Sequence, residues 1–268
     1  MPVTPILLAG AGRMGGAILT GWRLSGAFSP GDLLVRDPFP GEAALAAGQA
    51  GVIMNPADAV LASVNTVLFA VKPQNWREAA GEMSALLAPN AVIVSILAGI
   101  AASEVAGAFA DRPVARAMPT TAAAIGKATT SIFAAAPVAR ERAHALFEPL
   151  GAVVDLADED LMHVATAASG SAPAYLYAFI EALQQAATVA GLPAEAAARL
   201  ARSTITGAAA LLDHTNADPA ELRRQVTSPG GTTEAALGVL MGENGLASLL
   251  DRAVAAAVAR SRALGVQG

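Results

Sequence analysis

Cysteine is absent from the 268-residue chain. Its absence excludes a disulfide framework, a thiolate nucleophile and any metal site built on cysteine. Histidine is scarce: His144, His163 and His214 stand far apart and make no metal-ligand spacing, so no metal is expected. Aromatic residues supply 4% of the chain, while alanine dominates its 54% hydrophobic content. Closely packed helices suit that composition better than an aromatic-rich β-sandwich. An excess of positive charge is missing too, and a net charge of −5 argues against a nucleic-acid partner. No basic segment precedes the first apolar stretch, the first charge being Arg13, so a signal peptide is not expected. One uncharged run, Leu161 to Ile180, is long enough to span a bilayer. It carries His163, Thr166, Ser169, Ser171 and Pro173, and reads as buried between helices rather than in a membrane. A cytoplasmic protein is expected.

What is present is concentrated first at the amino end. Ile6 to Ala9 reads as a buried strand, followed by Gly10-x-Gly12-x-x-Gly15 and an alanine-rich run that reads as a helix. In such a pattern the first glycine permits the tight turn, the second lets backbone approach a pyrophosphate, and the third lets helix pack on strand. Free N–H groups at the helix start then hold the phosphates. An ordinary strand–helix turn is the plainer alternative, but the flanking elements favour dinucleotide binding. A second strand, Leu33 to Val35, ends at Arg36-Asp37. An acidic side chain there binds ribose hydroxyls and an arginine accommodates a 2′-phosphate, so these residues leave NADP and NAD both open.

Val52 to Met54 reads as a third strand, with Asn55-Pro56 as the cap and first residue of a helix. Thr66 to Val71, Ala91 to Leu97 and Val114 to Met118 are further strands, with helices around Trp76–Leu87 and Ala102–Phe109 between them. This alternation predicts an α/β fold with a doubly wound, parallel sheet of the Rossmann type. Ligands of such sheets lie at the carboxyl ends of strands. Ala70-Val71-Lys72-Pro73, Ala98-Gly99 and Met118-Pro119 are therefore rim positions. Thr129 to Ala135, a helix near Val138–Leu150 and Ala152 to Leu156 complete the sheet region. Beyond Asp158 only helical stretches follow, near 173–190, 194–212, 219–226, 233–241 and 246–264. The predicted domains are a dinucleotide-binding part, 1–160, and an all-helical part, 161–268.

The helical part lacks lysine, since Lys72 and Lys127 both precede it. Two of its segments set hydroxyls and glycines ahead of a helix: Ser169-Gly170-Ser171-Ala172-Pro173-Ala174-Tyr175 and Thr227-Ser228-Pro229-Gly230-Gly231-Thr232-Thr233. In the second, Gly230 to Thr233 would present free N–H groups suited to a carboxylate. Plain helix capping by serine and threonine is the alternative.

With Gly10 to Gly15 including Met14, Val71-Lys72-Pro73, Arg116-Ala117-Met118-Pro119, Ser169 to Tyr175 and Ser228 to Thr233 all in order, the chain resembles the pyrroline-5-carboxylate reductase family over essentially its full length. The resemblance implies reduction of the cyclic imine 1-pyrroline-5-carboxylate to L-proline with NADPH, NADH being the alternative, by a homodimer or an oligomer of dimers. It implies cofactor contacts from Gly10, Ala11, Gly12, Arg13, Met14 and Gly15, from Arg36, Asp37 and Asn55, and from the rims Ala70 to Pro73 and Ala98-Gly99. Lys72 belongs to that cofactor rim. On the substrate side it implies Met118, Pro119, Ser171, Ser228, Gly230, Gly231, Thr232 and Thr233, with the Thr233 hydroxyl as the catalytic group at the ring nitrogen. Two departures stand out. The family continues Met-Pro with Asn-Thr-Pro, where this chain has Thr120-Thr121-Ala122, and Arg36-Asp37 is not its usual 2′-phosphate-binding sequence. Rival readings are another Rossmann imine or β-hydroxyacid oxidoreductase, and a silent nucleotide-binding paralogue. The missing lysine speaks against carbonyl reduction.

Overall fold

The computed structural model describes residues 2–266. The apolar runs become β1 (Ile6–Ala9), β2 (Leu33–Arg36), β3 (Ile53–Met54), β4 (Thr66–Phe69), β5 (Val92–Ser95), β6 (Val114–Pro119), β7 (Ala128–Ala134) and β8 (Gly151–Asp155). They form one sheet in the order β3-β2-β1-β4-β5-β6-β7-β8. Neighbours among the first six are parallel. Strand β7 turns back antiparallel to β6, and β8 is parallel to β7. The link from Thr120 to Lys127 is shorter than the roughly twelve residues a parallel crossover needs, so β7 can only return beside β6.

Helices α1 (Arg13–Ser25), α2 (Glu42–Gln49), α3 (Trp76–Ser84), α4 (Ala102–Ala108) and α5 (Pro137–Phe147) cover both faces of the sheet. Along β1, Ile6 and Leu8 enter one buried cluster and Leu7 and Ala9 the other, as the two-residue period of a strand requires. The first cluster contains Trp22 of α1 and Leu146 and Phe147 of α5. The Trp22 indole donates to the Leu146 carbonyl at 2.7 Å, so the buried ring leaves no polar atom unpaired. The second cluster contains Trp76 and Met83 of α3 and Val105 of α4. The helix expected to start at Asn55-Pro56 does not start there. Asn55 takes a left-handed conformation, φ 44°, which asparagine tolerates, and a 3-10 turn begins only at Asp58.

The chain divides into two compact units. One runs to Gly170 and takes in the residues from Ala257 onward; the other is Ser171–Ala256. The first ends in α6 (Leu161–Ala165) and a π-helical turn, Thr166–Gly170. The second holds α7 (Ala172–Val189), α8 (Ala194–Thr215), α9 (Pro219–Gln225), α10 (Thr232–Leu240) and the start of α11 (Leu246–Val266). Neither α7 nor α10 buries a single residue, although both are rich in apolar side chains. Tyr177 is 61% and Val239 77% exposed. No described helix is long and apolar enough to cross a membrane.

Candidate active site

The β1–α1 loop uses its three glycines for three reasons. Gly10 has φ +90°, and a Cβ there would lie 2.7 Å from the Ala70 carbonyl oxygen. A Cβ on Gly15 would lie 2.1 Å from the Gly10 carbonyl oxygen. These two let the backbone turn and the helix close on the strand. At Gly12 an added Cβ meets nothing within 4 Å, so this position keeps open space outside the loop. Gly12 is also the N-cap of α1, whose first turn has neither a side-chain cap nor an acidic residue. Open space before an uncapped helix start fits a pyrophosphate, which would take the free N–H groups and the positive end of the dipole. Beside it lies a cavity of about 440 Å³, lined by Ala11, Gly12 and Arg13 on one side and Phe39, Gly41 and Glu42 on the other.

The end of β2 is braced from below. Asp37 accepts from the Ala11 N–H at 2.7 Å and from the Phe39 N–H at 2.8 Å. Its own N–H donates to the Asn55 side-chain oxygen at 2.9 Å. Asp37 therefore ties the glycine loop to the β2 end, and Asn55 supports it from β3. Arg36 turns to Asp58 at 3.2 Å, in a pair whose acid is 64% exposed. Arg13 is exposed. Because β1, β2, β4, β5 and β6 run parallel, their carboxyl ends share one edge. That edge gathers Gly10 to Gly15, Arg36-Asp37, Ala70 to Pro73, Ala98-Gly99 and Met118-Pro119. The π-helical turn joins them, since a Cβ on Gly170 would stand 3.6 Å from the Met118 Cγ.

Thr120, where the resemblance implies asparagine, is buried and works on the backbone. Its hydroxyl accepts from the Thr129 N–H at 3.1 Å, closing the β6–β7 turn. Behind this turn α1 comes so near that a Cβ on Gly21 would lie 2.1 Å from the Ala123 carbonyl oxygen.

In the second unit, Ser228 to Thr233 forms a turn into α10. Gly230 has φ +70°, and the Gly231 N–H donates to the Ser228 carbonyl at 3.0 Å. The Gly230 N–H donates to the Glu234 carboxylate at 2.7 Å. Two of the four N–H groups expected to face a ligand are thus engaged within the turn, which leaves those of Thr232 and Thr233. The N-cap of α10 is Gly231, and it makes no side-chain cap bond. The hydroxyls of Thr232 and Thr233, one and two positions inside the helix, do not serve as its cap. Ser171, half-buried, stands at the N-cap of α7 without a side-chain cap bond.

Residues 159–264 match the family model for pyrroline-5-carboxylate reductase dimerisation, and residues 5–99 match that for NADP oxidoreductase, coenzyme F420-dependent. The chain is 37% identical over 273 residues to the pyrroline-5-carboxylate reductase of Pseudomonas aeruginosa, spanning 100% of this chain and 99% of that one. It belongs to the pyrroline-5-carboxylate reductase family. A solved reductase of this family, from Coxiella burnetii, has a TM-score of 0.89 at 30% identity over 98% of this chain and 99% of the other. The Plasmodium falciparum pyrroline carboxylate reductase, solved with NADP bound, shares the fold with a TM-score of 0.81 at 23% identity over 98% of each chain.

As a member of this reductase family the chain is an oxidoreductase that works with a nicotinamide nucleotide. Among the described residues no group of three His, Cys, Asp or Glu could hold a metal. Three acidic residues escaped the sequence reading: Asp58 and Glu159 in the first unit and Glu234 in the second. Glu159 bonds Arg116 at 2.9 Å. Nothing in the run Asp158-Glu159-Asp160 says which carboxylate turns inward. His163, next along this chain segment, bonds the Ser261 hydroxyl at 2.9 Å. Burial, and then the Arg116 charge, hold its imidazole below the ordinary range.

Proposed function

We propose that this oxidoreductase reduces 1-pyrroline-5-carboxylate to L-proline, with NADPH as the reductant. The observation that carries the reading is the start of α10, where an uncapped helix end follows a Ser-Pro-Gly-Gly turn in a half of the chain without lysine. The N–H groups of Thr232 and Thr233, the Ser228 hydroxyl and the positive end of the α10 dipole hold the substrate carboxylate. Gly230 and Gly231 shape the turn that presents them. The nicotinamide supplies a hydride to the C=N carbon. The ring nitrogen ends with one proton more than the free imine, and a cyclic imine is basic enough to bring that proton with it. What remains for the chain is orientation, and the Thr233 hydroxyl hydrogen-bonds the ring nitrogen. Met118, Pro119 and Ser171 complete the substrate side. The nucleotide lies along Gly10 to Gly15, Asp37, Asn55, Ala70 to Pro73 and Ala98-Gly99, within a functional domain of residues 1–160. Residues 161–268 bind substrate and pair two copies in the cytoplasm. Arg36 favours the 2′-phosphate, which displaces the exposed Asp58 at little cost. Arg36→Ala then raises KM for NADPH several-fold more than KM for NADH; equal changes would remove the basis for this preference.

Thr233 decides between a catalytic and a helical role. Thr233→Ala lowers kcat/KM by on the order of ten- to a thousandfold, about 1.4–4 kcal/mol of transition-state stabilisation, and Thr233→Ser keeps most of the activity. Were the residue only a support for the helix end, alanine would cost about 1 kcal/mol of stability and leave turnover intact. Melting temperature and kcat/KM measured on the same two variants separate the outcomes. A destabilised but fully active alanine variant contradicts the assignment.

A further inference from the structure

One carboxylate oxygen in the first unit accepts from two elements, the start of α4 and strand β6. Glu159 Oε1 takes the Arg116 guanidinium at 2.9 Å and the Ala102 N–H at 2.7 Å. Ala102 opens α4, three residues after Gly99, the β5 rim position with φ +81°. Its neighbour Ala101, at the N-cap, has no capping side chain of its own, and Glu159 satisfies from a distance one of the free N–H groups of this helix start. Arg116 lies on β6 two residues before Met118, hence on the same face of the strand. Its side chain is 5% exposed. Glu159 itself stands two residues ahead of α6, whose π-helical extension ends with Gly170 against Met118. The α6 segment is therefore fastened to β6 at two points, at Arg116 through Glu159 and at Met118 through Gly170. The other acids of the run point elsewhere. Asp158 accepts from the Asp160 N–H, and Asp160 pairs with Arg262 at 2.6 Å on the surface.

We propose that Glu159 is a positioning residue for the reaction. Its single oxygen registers the Ala98-Gly99 rim against the Met118-Pro119 rim and the Ser169-Gly170 turn. The inference rests on the assignment of those rims to cofactor and substrate above. Reaction rates fall steeply when reacting partners are misplaced, by about a hundredfold for an ångström. A residue that touches neither ligand but sets both rims controls that distance.

Because both donors share one oxygen, two substitutions read the two halves separately. Glu159→Gln keeps an oxygen for the Ala102 N–H but leaves the buried Arg116 without its counter-charge. Glu159→Ala removes both bonds. The tests are NADPH dissociation constants by titration without substrate, steady-state kcat and KM for pyrroline-5-carboxylate, and melting temperatures, on the full chain. Glu159→Gln should keep NADPH affinity within about twofold while kcat/KM falls on the order of tenfold, and Arg116→Met should behave like it. Glu159→Ala should weaken NADPH binding several-fold as well, and lower kcat/KM further. Variants that melt earlier but keep the parental dissociation constant, KM and kcat would make Glu159 a structural brace only and overturn the proposal. If the alanine variant does not fold, parental kinetics in both Glu159→Gln and Arg116→Met overturn it equally. A parent protein that turns over no pyrroline-5-carboxylate refutes the substrate assignment instead. NADPH affinity in Glu159→Ala then still decides the cofactor-rim half: a parental value overturns it, and a several-fold loss upholds it.

Discussion

At Gly12 an added side chain meets no atom of the chain within 4 Å, whereas at Gly15 it would press on the Gly10 carbonyl oxygen. The same motif thus contains one position that faces open space and two required by the fold. Gly12→Val should weaken NADPH binding at least about tenfold, or about 1.4 kcal/mol, and shift stability by less than about 1 kcal/mol. Gly15→Ala should compromise folding itself. Titration and thermal melting of the two variants check this, and parental NADPH affinity in Gly12→Val contradicts it. At this scale the sequence was partly readable. Glycine spacing announces the loop, but the partner of each charge depends on folded distances. Asp37 reads as a ribose ligand and is found with both oxygens on backbone N–H groups. Gly230 reads as a carboxylate donor and is found giving its N–H to Glu234, four residues on.

Between elements, the clearest titrating link joins α5 to β8. His144 lies 2.8 Å from Glu148 and 3.0 Å from Asp155, with Arg140 at 3.8 Å from the same aspartate. The hydrogen bond to Glu148 is the main cause of a raised imidazole pKa, opposed by partial burial and helped by Asp155. A raised folded value means that the stabilisation is fully present below the ordinary value near 6.5 and is lost as pH rises through the folded value. His144→Gln should therefore lower the melting temperature most near pH 6, with the gap to the parent closing toward pH 9. A gap that stays constant or widens with pH contradicts the pairing. The elements themselves were the most readable level. Every strand expected from an apolar run is present; the plainest, β1, β4 and β5, are central, parallel and buried along their whole length, and need no polar alternation. The exceptions are local. Asn55 reads as a helix cap, but its side chain is spent on the Asp37 N–H, and β7 reverses because its connection is short.

For the molecule as a whole, the second unit leaves its apolar helices bare. An 18-residue α7 and a nine-residue α10 with no buried residue cannot be content as a water-facing surface. The match of residues 159–264 to a dimerisation model points to a second copy as the cover. Light scattering at micromolar concentration should give at least twice the mass of one chain, and a monomer would contradict it. Alanine and leucine content made this need visible in the sequence, but not which faces meet. The central claim is the reaction. Purified protein mixed with NADPH and 1-pyrroline-5-carboxylate should lose nicotinamide absorbance and form L-proline in equal amounts. Binding of NADPH without any substrate-dependent oxidation, or oxidation without proline, would contradict the account.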